Sequence, residues 1–343
     1  MPARTSLARE WGAAALALVL SLGLVYAATE LYVSWAVDDG MQFDLEMWRY
    51  SREIKRVAAN PAVGHEHRPG THARLMGVDV AISSQGLRDR EYALDRPAGR
   101  TRILMLGDSL TFGWGVPAEK TYSKRLEDLL RGSGRDVEVI NTGVGNWNTE
   151  MEVAYFLDRG ARFKPDYVVL NYFINDPEPT PRYGGNFLTE HSRAIVYIAS
   201  RLDAALRQAN AGKHADWRGY YASLYSDAAM GRVGGAIAQL AEHCRAHGIG
   251  LVLANYPELH NPRQYPFPFV EDSVRRIAEA NRVDYMSMLP AVRDLDPASL
   301  WVTVPDPHPS VAAHEAFAQA LFRRFDKQLP PPAAASSPAA KAM

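Results

Sequence analysis

The chain has 343 residues, 47% of them hydrophobic, enough for one large domain or two smaller ones with a sizeable core. Lys plus Arg, 38, nearly balances Asp plus Glu, 39, and without a field of one sign nucleic acid is not an expected partner. The single cysteine, Cys244, excludes an internal disulfide and a cysteine-built zinc site, and its spacing from Ile237, Leu240 and Ala241 reads as a helical core position.

The first predicted element covers residues 11–29, "WGAAALALVLSLGLVYAAT", which carry no charge. As a helix at about 1.5 Å per residue it would span roughly 28 Å, close to a bilayer core. Arg4 and Arg9 precede it and Glu30, Asp38 and Asp39 follow, so the positive-inside rule leaves residues 1–10 in the cytoplasm and points the rest outward. A cleaved signal peptide ending at Val25-Tyr26-Ala27 is the competing reading, but the apolar stretch exceeds the about 7 to 15 residues usual there. A single-pass inner-membrane protein is expected, with its working part on the periplasmic or other extracytoplasmic side.

Residues 30–75 form a lead-in segment, with a polar helix over 41–59 and then the loop "NPAVGHEHRPGTHARLMG", followed by a short strand pair around "VDVAISSQGLRD". From residue 102 onward, apolar β-rich runs alternate with helical patterns, the mark of a parallel sheet with crossover helices. Strands are predicted at 102–107, 137–141, 166–172, 249–255 and 283–287, and helices at 118–131, 150–162, 232–247, 268–281 and 310–326. The expected domain, 76–329, is an α/β three-layer fold with a five-stranded parallel sheet of flavodoxin-like order. Residues 178–231 are too long for an ordinary connection, carry a helix near 187–209, and read as a helical insertion over one sheet edge. Its Trp217, Tyr220, Tyr221 and Tyr225 read as a packing surface. The Pro/Ala/Ser-rich tail, 330–343, has too little apolar bulk to pack and is expected to be disordered.

Four polar stretches fall at the carboxyl ends of predicted strands or just before the last helix, where open α/β sheets place their ligands. In "RILMLGDSLTFGWG", residues 102–115, an apolar strand turns at Gly107 and offers Asp108 and Ser109. Alone, Ser109 reads equally well as a helix cap. The second stretch, "NTGVGNWNT" at 141–149, has glycines that let backbone N–H groups approach a substrate. The third, "NYFINDPEP" at 171–179, contains Asn175-Asp176, and the fourth, "VPDPHPS" at 304–310, contains Asp306 and His308. A serine nucleophile needs a base and donors for the developing oxyanion, and imidazoles exchange protons near neutral pH.

In this order the four stretches resemble the four blocks of the SGNH, or GDSL, family of esterases and lipases, in a membrane-anchored bacterial-type form, over about residues 76–326. The phrase "ISSQGLRDREY" is similar to members of this group as well. The resemblance implies Ser109 as nucleophile, His308 as general base and Asp306 as its acid partner. It implies an oxyanion hole built from the N–H of Ser109, the N–H of Gly145 or its neighbour Asn146, with Gly145 preferred, and the side-chain amide of Asn175. No cofactor and no metal are implied. Two features depart from the family pattern. Phe173 replaces a glycine of the third block, shaping the pocket without removing the Asn175 amide. Asp306 stands two residues before His308 instead of three, with Pro307 and Pro309 stiffening the loop. Whether Asp306, a backbone carbonyl or a water orients the imidazole stays open at this point. The implied activity is serine-dependent ester hydrolysis through an acyl-serine, and the expected extracytoplasmic location, on its own, favours an exported glycan or lipid ester as substrate. An O-acyltransferase for an exported polysaccharide and a non-catalytic binding protein that kept the fold are the other classes.

Several residues read as bystanders. Asp108 and Asp176 are expected to accept backbone hydrogen bonds and stiffen their loops. His65, Glu66, His67 and His72 read as solvent-exposed loop residues, and His243 with His247 as a polar helix face lacking a third metal ligand. His314 reads as a packing or capping residue near His308, and as the reserve base.

Overall fold

The computed structural model of the protein describes residues 3–180, 187–210, 217–303 and 306–329. Helix α1, Ala3–Tyr32, opens the chain. Over Arg9–Val37 the chain is helical, long and apolar enough to cross a membrane, and its most apolar window is fully exposed. Helix α2, Phe43–Arg49, is capped by the Gln42 side chain and runs through a π-helical turn, Tyr50–Ile54, into strand β1, Lys55–Val57. Strand β2, His65–His67, pairs antiparallel with β1, and strands β3, His72–Leu75, and β4, Val78–Ala81, form a second hairpin. The polar helix expected over 41–59 is therefore short, and "HEH" is strand instead of loop. His65, Glu66 and His67 are all buried and only His72 is exposed, because β2 lies between β1 and the main domain.

The main domain follows the expected alternation: β5, Thr101–Leu106; α3, Ser109–Phe112; α4, Tyr122–Gly132; β6, Val137–Asn141; α5, Thr149–Asp158; and β7, Tyr167–Tyr172. The insertion carries α6, Phe187–His191, α7, Arg193–Asn210, and α8, Trp217–Leu224. It is followed by α9, Asp227–Ala246; β8, Gly250–Asn255; α10, Pro268–Ala280; β9, Asp284–Ser287; and α11, Leu289–Val292. A last hairpin, β10, Trp301–Thr303, and β11, Asp306–Pro309, leads into α12, Val311–Gln328. The sheet is five-stranded and parallel in the order β6-β5-β7-β8-β9, the flavodoxin-like order expected.

Side chains alternate across the sheet as the period of two requires. Leu104, Leu106, Val168, Leu170 and Leu253 enter a core with α5, α9 and α10, whereas Ile103, Met105, Val139, Val169 and Val252 enter another with α4 and α12. Cys244 is buried in the first of these cores.

The insertion differs from expectation in two respects. Its predicted single helix over 187–209 is interrupted at Ser192, because the Glu30 carboxylate accepts the Ser192 hydroxyl at 2.7 Å and the Arg193 and Ala194 N–H groups, and so starts α7 anew. Helix α7 then packs on α2 and the end of α1, not over the sheet edge, while Tyr221 and Tyr225 lie against Phe267 and Phe269. The Trp217 side chain and the tail from residue 330 lie outside the described residues.

Candidate active site

The strand ends are level where the site forms. Met105 of β5 pairs with Asn141 of β6, and Leu106 pairs with Leu170 of β7, so the three following loops leave the sheet side by side. Gly107 makes the first turn possible, since a Cβ there would occupy the space of the Thr111 hydroxyl. Asp108 then caps α3 by accepting the Leu110 N–H at 2.8 Å, and burial raises its carboxyl to about 6. Arg88, from the "GLRD" phrase, is buried and donates to the carbonyls of Phe112, Gly113 and Val116, holding the chain just beyond α3.

Ser109 opens α3 and is nearly buried. His308, on β11, lies with Nε2 2.8 Å from Ser109 Oγ and Nδ1 2.5 Å from Asp306 Oδ1. Asp306 is fully buried, and as a carboxylate it only accepts, so the imidazole proton sits on Nδ1 and Nε2 accepts the Ser109 hydroxyl. The two-residue spacing works because the His308 backbone N–H also donates to Asp306 Oδ1, at 3.1 Å, in an Asx-type turn that folds the carboxylate back onto its own imidazole. The second carboxylate oxygen accepts the indole N–H of buried Trp114 at 2.8 Å, and Phe43 and Trp114 flank the His308 ring.

The loop after β6 approaches α3 closely. A Cβ at Gly143 would collide with the backbone of Thr111 and Phe112. Val144 N–H donates to Gly107 O at 3.1 Å, and Thr149 Oγ donates to Asp176 Oδ2 at 2.5 Å, which ties this loop to the one after β7. Gly145, the preferred backbone donor, has its N–H committed to Tyr50 Oη at 2.9 Å. Asn146 instead stands in the left-handed region at φ +66°, and among the described residues no group accepts its N–H. The Ser109 N–H is likewise without an acceptor. Asn175 sits on the turn after β7 with its Oδ1 buried and unpartnered, and Phe173 beside it packs on both cores.

The bystanders divide. His314 accepts the Tyr122 N–H at Nδ1, 3.0 Å away, and stacks on the Tyr122 ring. Burial lowers its imidazole to about 3, so it is a cap for α4 and has no place as a reserve base. His243 and His247 stack on each other, and among the described residues no group of side chains is arranged to hold a metal.

Glu152 on α5 escaped notice in the sequence. Both its carboxyl oxygens are buried without partners, as is Asp176 Oδ1. Burial first, and then the neighbouring carboxyls, push Glu152 and Asp176 well above the ordinary carboxylate range. An acid whose folded value lies above its unfolded one contributes stability below the unfolded value and loses it as pH rises through the folded one. Glu152→Gln removes that loss. The variant is expected to melt higher than the wild type at about pH 8, by roughly 2–4 °C for each kcal/mol relieved, with the advantage shrinking toward about pH 4 in a thermal melt.

Residues 105–316 match the model of the GDSL-like lipase/acylhydrolase family. An arylesterase of Vibrio mimicus is 35% identical over 75 residues, 22% of this chain and 38% of that protein, so the match spans well under half of the relative's length. Among solved structures, TesA aligns with 67% of this chain and 100% of its own at 16% identity and a TM-score of 0.46. Axe2, an acetylxylan esterase from Geobacillus stearothermophilus, aligns with 66% of this chain and 94% of its own at 18% identity and a TM-score of 0.43.

Proposed function

We propose that this chain, which belongs to the GDSL-like lipase/acylhydrolase family, hydrolyses acyl esters through an acyl-enzyme on Ser109. The observation that carries the reading is the continuous relay from Ser109 Oγ through both nitrogens of His308 to the buried Asp306. Ser109 Oγ attacks the ester carbonyl and passes its proton to His308 Nε2 as the Oγ–C bond forms. The imidazolium gives that proton to the departing alkoxide, the C–O bond breaks, and the alcohol leaves. Water repeats the sequence in reverse, releasing the acid and restoring Ser109.

The oxyanion is assigned to the N–H groups of Ser109 and Asn146 and to the Asn175 amide. Asn146 replaces Gly145 in this role because the Gly145 N–H is already spent on Tyr50. Asn175→Ala is expected to lower kcat by about 10²- to 10³-fold with a smaller change in KM, the pattern of a donor that acts mainly in the transition state, as measured by steady-state ester hydrolysis.

The membrane reading assigns α1 as an uncleaved anchor that holds the catalytic domain on the extracytoplasmic side, supported by its apolar, exposed surface and by Glu30 tying its end to α7. Substrates there are acyl esters of exported glycans or lipids. The test is hydrolysis of p-nitrophenyl acetate and of an O-acetylated glycan by the purified full chain. Release of free acetate from both supports the reading, and failure on every ester with a folded protein refutes it.

A further inference from the structure

The peptide bond between Gly145 and Asn146 is gripped from behind by side chains that the acyl-transfer relay does not use. Lys55 Nζ donates to the Gly145 carbonyl at 2.6 Å and to Asn146 Oδ1 at 2.8 Å. His65 Nε2 meets the same carbonyl at 3.0 Å, and since a carbonyl only accepts, that nitrogen carries the ring proton. On the other side of Gly145, Tyr50 Oη accepts its N–H and donates to His67 Nε2 at 2.7 Å, while His67 Nδ1 donates to the Gly86 carbonyl at 3.1 Å. All four side chains are buried, and all come from the lead-in segment instead of the main domain.

We infer that Lys55, assisted by His65, is a positioning residue for the oxyanion hole: two donors on the Gly145 carbonyl orient and polarise the peptide whose N–H, that of Asn146, receives the substrate oxygen. This rests on the ester-hydrolysis reading and deepens it. Hydrogen bonds to a carbonyl oxygen strengthen the N–H of the same resonant peptide as a donor, and a charged donor does so most. The left-handed backbone at Asn146 also needs something to hold it, and the Lys55 bond to Asn146 Oδ1 supplies that.

Burial pushes the Lys55 ammonium down to about 7, with His65 and His67 on β2 and the Tyr50 ring 4.5 Å away as its titratable neighbours. A folded value below the unfolded one means stability present above the ordinary lysine range and lost as pH falls toward 7.

The experiment measures p-nitrophenyl acetate hydrolysis by the full chain in detergent, with kcat expressed per site titrated to completion by a phosphonate, alongside thermal melting. Lys55→Met is expected to lose about 10- to 100-fold in kcat per titrated site with KM nearly unchanged and a melting temperature at neutral pH no lower than the wild type's. His65→Phe, which removes the second donor, is expected to lose less in the same direction, and it decides the matter where Lys55→Met does not fold. Unchanged kcat per titrated site, or a loss that only follows the melting temperature, overturns the positioning role while wild-type turnover leaves the hydrolase reading standing. A wild type that neither titrates nor turns over overturns both.

Discussion

Ser109→Ala is expected to lower ester turnover by about 10⁴- to 10⁶-fold, down to what the oxyanion donors and substrate binding sustain without a nucleophile. The size follows from the division of labour. Ser109 supplies the attacking oxygen and the bond that holds the acyl group, and the nearest alternative nucleophile would be a water held by His308. The α3 helix does not need the hydroxyl, since its amino-terminal cap is the Asp108 carboxylate. The variant should therefore fold and melt as the wild type does, and steady-state hydrolysis together with a thermal melt separates lost chemistry from lost structure.

Asp306→Asn is expected to cost about 10⁴-fold in kcat with the fold retained. Both carboxylate oxygens of Asp306 accept: Oδ1 takes the His308 Nδ1 proton and the His308 N–H, and Oδ2 takes the Trp114 indole N–H at 2.8 Å. An asparagine has one accepting atom for these two sides. If its oxygen stays with the indole, its NH₂ faces Nδ1 and drives the ring proton to Nε2, where it can no longer accept from Ser109. If the amide turns, two donors meet at the indole. Trp114→Phe, which leaves the carboxylate charged, is expected to cost much less, and the ratio of the two effects in kcat measures how far the proton's place on Nδ1 matters.

Much of this was legible in the sequence, for physical reasons that differ by element. The three central strands, β5, β7 and β8, announce themselves by apolar runs such as Val168–Leu170, which a sheet covered on both faces favours. Ser109, Asn175, Asp306 and His308 could be singled out because their stretches, each at a strand end or before the last helix, resemble the four family blocks in order; position alone leaves Ser109 equally readable as a helix cap. The choice between Gly145 and Asn146 was not legible, because it depends on a phenol far up the chain taking one of two adjacent N–H groups. The same holds for "HEH", whose polarity reads as solvated until β1 and the main domain cover it. Trp114 carries no local sign of its role, because its link to Asp306 spans most of the domain. The break at Ser192 is set by Glu30 at the far end of α1, a partner no local pattern reveals.

The most direct test is the intact mass of the full chain after exposure to a phosphonate that mimics an acyl ester. One adduct per chain, mapped to Ser109 and absent from Ser109→Ala, is the result expected of a hydroxyl activated by His308. A folded wild type that stays unmodified, or an alanine variant modified to the same extent, would contradict it.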